Sequence, residues 1–295
     1  MLLMKILNYM NLNQHPVQCS FRVDRTRQFS EIYHAHQGME LLFVHEGSIR
    51  VVVNRQIFDL TAGNLVAFRP FQLHRVIMRT EPGGSYIRTL LVFEPGELAE
   101  RLEAFPSLRQ FLLRLWKEPL QQQVFQSLPL ERTVDKLAEY RERMEGAEQA
   151  QLLEEQMLCL ADMLGHLKRH EEPDMLRRLP PPQGSQVAEQ VMDWLEARYA
   201  EPFQLELLAQ AVHLTPSHVS AAFRQAVGST ITDYLTAVRV RQACLLLRTG
   251  DKSVEEIGRA VGLQNTSYFC QMFRKHVGLS PHRFRRSLQR VEEKR

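Results

Sequence analysis

His34, His36, Glu40 and His74 are the residues of this sequence whose types and spacing come nearest to chemistry. Three imidazoles and a carboxylate form a ligand set for a divalent transition metal, because neutral ring nitrogens and carboxylate oxygens suit such ions. Alternation along an extended strand puts His34 and His36 on one face, and Glu40 shares their parity where no bulge intervenes. Gly47 follows Glu40, and Gly63, Pro70 and His74 fall on later strands. His45 has the opposite parity and is expected to point away. His15, His166, His170, His213 and His276 lack partners nearby in sequence and are expected at the surface or in packing.

A second constellation lies near the C-terminus and takes the form of a repeat. Leu208, Ala211, Val212 and Leu214 match Ile257, Ala260, Val261 and Leu263 at an offset of 49. Beyond the turn the offset becomes 50, and Phe223, Arg224, Val227, Gly228 and Tyr234 match Phe273, Arg274, Val277, Gly278 and Phe284. Each copy reads as a helix, a tight turn and a second helix locked against the first, which is a helix-turn-helix. In the first copy Val219, Ala222, Phe223 and Ala226 take the inward face, so Ser217, Ser220, Ala221 and Arg224 face out, flanked by His218 and Gln225. In the second, Phe269, Met272 and Phe273 turn inward, and Thr266, Ser267, Cys270, Gln271 and Arg274 face out. Arg224, Gln271 and Arg274 can donate to bases or phosphates, and His218 starts a helix where it could meet a phosphate. Ser217, Ser220 and Ala221 permit close approach with little base discrimination, so the second copy is expected to read more sequence.

Charge supports that partner. Between Ala221 and Arg290 there are twelve basic and four acidic residues, a balance of +8, which leaves −5 for the rest of a chain whose total is +3. A basic segment in an otherwise mildly acidic protein suits a polyanion, because phosphates release counterions to clustered Lys and Arg.

The elements that must position these residues follow from pattern. Residues from about 21 to 95 read as short strands (ELLFVHEG, SIRVVV, QIFDL, NLVAFRP, HRVIMR, YIRTLLVF) separated by turns, which predicts a barrel or sandwich. Residues 96–172 are rich in helix formers. Within them Leu153, Met157, Leu160, Leu164 and Leu167 form a helical stripe, suited either to a dimer seam or to packing on the barrel of the same chain. Pro180, Pro181 and Pro182 mark a linker over 173–186. Residues 187–288 then read as seven helices, with the two motifs at about 205–228 and 254–278.

Composition is that of a globular protein long enough for two cores, 44% hydrophobic and 24% charged over 295 residues. No stretch reaches the roughly 18 apolar residues of a membrane span, and MLLMKILNYMNLNQ lacks a sustained apolar run and a cleavage site, so a soluble cytoplasmic chain is expected. Cys19, Cys159, Cys244 and Cys270 lie far apart, which argues against a disulfide framework and for isolated thiols.

Residues from about 188 to 287 resemble the DNA-binding domain of the AraC/XylS family of bacterial regulators, through RVRQACLLLRTG, VEEIGRAVGL and SYFCQMFRKHVGLSPHRFRR. The pattern departs from the family at Gly258, often alanine there, and at Gln264 and Asn265. The resemblance implies two recognition helices in successive major-groove segments of double-stranded DNA, a homodimer on direct or inverted repeats, and contact with RNA polymerase. Over about residues 30–95 the spacing HxHxxxE followed by GxxxxxxPxxxH resembles both motifs of the cupin superfamily, with all four metal-binding positions of metal-dependent cupins present. Regulators of this type also carry such barrels with the histidines lining an effector pocket and no metal, so both readings stand. The expectation is a multidomain α and β protein: a cupin-like sensing barrel (1–95), a helical region (96–172), and an all-α paired helix-turn-helix domain. Its expected function is effector-controlled transcription regulation, as activator or repressor, without catalysis. The alternative is a metal-dependent cupin enzyme or metal sensor with an attached DNA-binding module.

Overall fold

The computed structural model of the chain describes residues 7–8, 12, 15–27, 33–36, 38–53, 55–79, 81, 83–117, 123–126, 128–171 and 185–292. Most of the linker expected at 173–186 lies outside them.

The six expected strands are β4 (Met39–Glu46), β5 (Ser48–Val53), β6 (Gln56–Thr61), β7 (Leu65–Phe68), β8 (His74–Met78) and β9 (Ile87–Phe93). Strand structure begins before the expected start near residue 21, with β1 (Leu7–Asn8) and β2 (Val17–Asp24), and β3 (Ala35–His36) adds a short strand within the expected range. It also reappears inside the segment expected to be helical, as β10 (Val124–Phe125), which pairs antiparallel with β7. Two residues cannot display a period, so β10 leaves no mark in the sequence pattern. One sheet runs β10-β7-β4-β9-β2 and a second runs β6-β5-β8, with β1 and β3 paired apart.

Strand alternation gives each sheet two different covers. In β4 and β7, Leu42, Val44, Val66 and Phe68 face the second sheet, where Ile49, Val51, Val53 and Val76 meet them and fill the interior. Met39, Leu41, Phe43, Leu65 and Ala67 face outward into a cluster with the helices α1 (Pro95–Arg101), α2 (Pro106–Lys117), α3 (Leu130–Glu145) and α4 (Gln149–Arg169). Covered on both faces, β4 is a near-continuous apolar run rather than an alternating one. Burying each such large side chain contributes about 1.5 to 3 kcal/mol.

The stripe on α4 belongs to this core. Leu160, Leu164 and Leu167 are fully buried, and Leu153 and Met157 pack at the edge of the same cluster. Of the two roles open to the stripe, packing within the chain is the one observed.

Seven helices make the C-terminal unit: α5 (Ser185–Arg198), α6 (Leu205–Ala211), α7 (Pro216–Val227), α8 (Ile231–Thr249), α9 (Val254–Ala260), α10 (Thr266–Val277) and α11 (Pro281–Glu292). Several of their starts are capped by side chains. Thr230 with Asp233 and Ser253 with Glu256 form reciprocal boxes, and Asn265 Oδ1 accepts from the Tyr268 amide at 2.9 Å. Asn265, a departure from the family pattern, is thus the residue that starts α10. The repeat extends to the backbone. Gly228 and Gly278 both close their helices in the left-handed conformation, and His213 (φ 56°) occupies the turn position that Gly262 (φ 81°) fills in the second copy.

Candidate DNA interface and histidine cluster

The second helix of each copy presents the face its spacing predicts. On α7, Ser217, His218, Ala221, Arg224 and Gln225 are exposed and Ser220 is half-buried, while Val219, Phe223, Ala226 and Val227 lie in the core. On α10, Ser267, Gln271 and Arg274 are exposed and Thr266 and Cys270 half-buried, over buried Phe269, Met272 and Phe273. Two neighbours on this face escaped the sequence: Tyr268, 57% exposed, and Lys275, also exposed. The signal was present, since Tyr268, Gln271 and Lys275 stand at i, i+3 and i+7. A tyrosine looks like core from its type alone. Gly258 faces Phe269 so closely that a Cβ there would meet the ring and Leu263 O at 3.3 Å, which accounts for glycine where alanine is usual.

In the barrel, the four predicted residues do converge. His34 and His74 exchange backbone hydrogen bonds of 2.9 and 3.0 Å, and their rings lie 4.1 Å apart. Ligand atoms of His34, His36 and His74 all fall within 4.8 Å of one another. His36 Nδ1 meets Gly38 O at 2.9 Å, and its Nε2 meets Glu40 Oε2 at 2.9 Å. Burial alone would raise the Glu40 carboxyl, but the hydrogen bond from His36 and the nearby imidazoles outweigh it and hold it at about 2. His74 donates from Nδ1 to Gln72 O (2.9 Å), leaving buried Nε2 with no partner among the described residues. Burial and the neighbouring His34 hold this ring well below its ordinary range, so it is neutral and its lone pair is available to accept. A neutral histidine fixed through Nδ1, with Nε2 bare beside two more imidazoles, is the donor arrangement a transition metal takes. The residues therefore fit such an ion.

His45 points away as expected, to Thr89 Oγ1 at 2.8 Å. His166 takes the packing role open to it and corrects only the expectation that it lacks partners. It is fully buried and does have partners: the His170 ring, one turn further along α4, at 4.6 Å, and Thr133 Oγ1 at 3.0 Å, which only the packing of α3 on α4 brings to it.

The contact between the two halves escaped the sequence altogether. Tyr33 and Ala35 share one hydrophobic cluster with α5, α7 and α8, together with Val52, Ile57, Phe71 and Leu73. The Tyr33 ring meets Tyr234 edge-on at 4.9 Å, and its hydroxyl donates to Met192 Sδ at 3.9 Å. Arg55 pairs with Asp193 at 2.9 Å, and Arg75 and Ile77 lie against Gly228 at the end of α7. The four cysteines are free thiols, and among the described residues no helix is long and apolar enough to cross a membrane.

Comparison with known proteins divides the chain at the same place. A helix-turn-helix domain family matches residues 208–287 and a cupin domain family matches residues 25–85. The arabinose operon regulatory protein of Escherichia coli (strain K12) is 35% identical over 108 residues, 36% of this chain and 37% of that one. The HTH-type transcriptional activator RhaR of Yersinia pseudotuberculosis is 25% identical over 292 residues, 96% of this chain and 93% of that one. The DNA-binding domain of AdpA, solved in complex with a target DNA, is 28% identical over 36% of this chain and 96% of that one, with a TM-score of 0.35. Three further curated relatives are spanned over only 35%, 35% and 51% of their own length.

Proposed function

We propose that this chain, an AraC-type regulator joining a helix-turn-helix DNA-binding domain to a cupin domain, controls transcription in response to a small-molecule effector held beside His34, His36, Glu40 and His74. The observation that carries the proposal is the segment Tyr33–His36. Its even residues, His34 and His36, belong to the cluster in the barrel, and its odd residues, Tyr33 and Ala35, pack on the DNA-binding unit. A ligand that shifts the two histidines shifts Tyr33 against Tyr234 and Met192, because all lie on one short extended stretch or directly against it. Control requires the effector to bind one arrangement more tightly than the other.

In this proposal residues 1–95 sense, 96–172 cover the sensing barrel, 173–186 connect and 187–288 bind double-stranded DNA. Arg224, Gln271 and Arg274 make the polar contacts from α7 and α10, extended by Tyr268 and Lys275. Ser217, His218, Ser220, Ala221, Gln225, Thr266, Ser267 and Cys270 line the approach. Two copies of the chain act together in the cytoplasm, where the DNA and RNA polymerase are. No catalytic turnover is part of the proposal, since the arabinose operon protein and RhaR are transcription regulators.

A second reading rests on the bare Nε2 of His74: a divalent transition metal held by His34, His36 and His74 with Glu40 is the signal or part of it. The metal would neutralise the carboxylate and fix the ring orientations. Metal content of untagged protein, compared with His34→Ala, separates the two. About one metal per chain, absent from the variant, supports the metal; none in either directs the site to organic effectors. For the coupling itself, Tyr33→Ala is expected to leave metal or effector binding intact while operator affinity stops responding to it. A full response in Tyr33→Ala would sink the proposed route.

A further inference from the structure

The turn at 69–73, between β7 and β8, carries a strained residue. Phe71 holds φ at 57°, a left-handed conformation that disfavours a bulky side chain and persists only where its surroundings enforce it. Within the turn, the Gln72 amide donates to Arg69 O at 3.0 Å, and the Arg69 amide donates to Gln72 Oε1 at 2.8 Å. From the histidine cluster, His36 O accepts from the Phe71 amide at 2.7 Å, and His74 Nδ1 donates to Gln72 O at 2.9 Å. The backbone of Phe71 is thus held partly by residues of the candidate ligand site.

Its ring belongs to the cluster that joins the two halves. It is 6% exposed, shares that cluster with Leu247, Val254 and Ile257, and lies under the Arg248 guanidinium at 4.7 Å. Leu247 and Arg248 form the last turn of α8, and Val254 and Ile257 belong to α9, the first helix of the second copy. Tyr33 meets the same long helix at its other end, because Tyr234 lies in its first turn. The barrel therefore touches both ends of the helix that connects the two copies.

We infer that Phe71 is a positioning residue for the second helix-turn-helix copy, and that its strained turn carries the state of the histidine cluster to that copy. A rearrangement of His36 or His74 removes hydrogen bonds that enforce the left-handed backbone. Once released, φ returns to negative values, the ring swings from its present direction, and the end of α8 loses its support. Tyr33 acts on the first copy, so the two contacts together set how one recognition helix lies relative to the other. That a ligand rearranges the cluster rests on the function proposed above. The route from turn to helix does not, and it is tested without a ligand, so its failure is distinct from the failure of that function.

The test is amide hydrogen exchange of the full chain, read separately at the two ends of α8, over 231–236 and 244–249. Phe71→Ala is expected to speed exchange at 244–249 about tenfold or more and at 231–236 by less than about twofold. Tyr33→Ala is expected to show the opposite pattern. Arg248→Gln, at an exposed position that keeps the core intact, should repeat the Phe71→Ala pattern more weakly and keeps the test open if that variant does not fold. The link to the cluster is read from His74. In His74→Asn the side-chain amide stands in for Nδ1 and keeps a donor for Gln72 O, whereas His74→Leu has none. Both lack Nε2, so a difference between them cannot come from a ligand on that nitrogen. Exchange at 244–249 is expected to stay near wild type in His74→Asn and to rise in His74→Leu. Unchanged exchange at 244–249 in both Phe71→Ala and Arg248→Gln overturns the positioning role. An equal rise at both ends of α8 overturns it too, since the halves would then part as one body. Equal exchange in His74→Asn and His74→Leu overturns the route from the cluster.

Discussion

The two helix-turn-helix copies share one framework and differ at the places where they meet the rest of the world. Both close their second helix on a left-handed glycine, Gly228 and Gly278, and both bury a phenylalanine, Phe223 and Phe273, at the same point. The outward faces diverge: α7 offers serines and Ala221 around Arg224, whereas α10 offers Tyr268, Gln271, Arg274 and Lys275. The first copy also rests on the barrel, through Tyr234 and Gly228. A duplicated scaffold thus keeps its buried residues while varying its exposed face, and that contact with the barrel falls on the copy whose exposed face carries fewer hydrogen-bonding side chains.

The largest effect expected from breaking this equivalence is at the tight turn. A Cβ at Gly262 would lie 2.6 Å from Ala200 O, at a φ that disfavours side chains, whereas His213 already tolerates the same position. Gly262→Ala is expected to cost about 3 kcal/mol in denaturant unfolding, and His213→Gly less than about 1. Equal costs would mean the two turns are not equivalent. The readout difference comes next. Gln271→Ala with Arg274→Ala should weaken specific DNA binding by about 1 to 3 kcal/mol for each base-edge hydrogen-bonding pair removed, and Ser217→Ala with Ser220→Ala by under about 0.5 kcal/mol. Comparable weakening in the two copies, measured on one operator, would remove the asymmetry. Smaller again is Tyr268→Ala, which should weaken binding without altering stability, because its ring is mostly in solvent.

Acid offers the mildest perturbation and reaches both halves, since burial also lowers His276 on α10. Burial holds His45 and His166 at about 4, under an ordinary 6.5. The unfolded chain therefore takes up these protons near pH 6.5 and the folded chain only near 4, so stability is full above about 6.5 and falls as pH drops through that window. His166→Gln should flatten part of that fall in the barrel half, seen by denaturant unfolding at about pH 7 and about pH 5. An unchanged slope would mean that His166 titrates alike in both states.

Much of this was legible in the chain because it is periodic. The helix-turn-helix pair shows in the 49- and 50-residue offsets, and strand alternation brought His34, His36 and Glu40 to one face. Other features have no local signal. Strand β10 is too short to show a period. The α4 stripe looks the same to a partner chain as to its own barrel, and His166 finds Thr133 only when α3 packs on α4.

By itself, then, the sequence determined the two kinds of domain, the seven helices of the second, and the face each recognition helix turns outward, since all of these depend on spacing along one element. Tertiary structure alone decided that the α4 stripe is core and that Tyr33 and Ala35 tie the segment before β4 to α5, α7 and α8. Those are meetings between residues far apart in the chain, and no periodicity within either partner specifies which surface the other will meet.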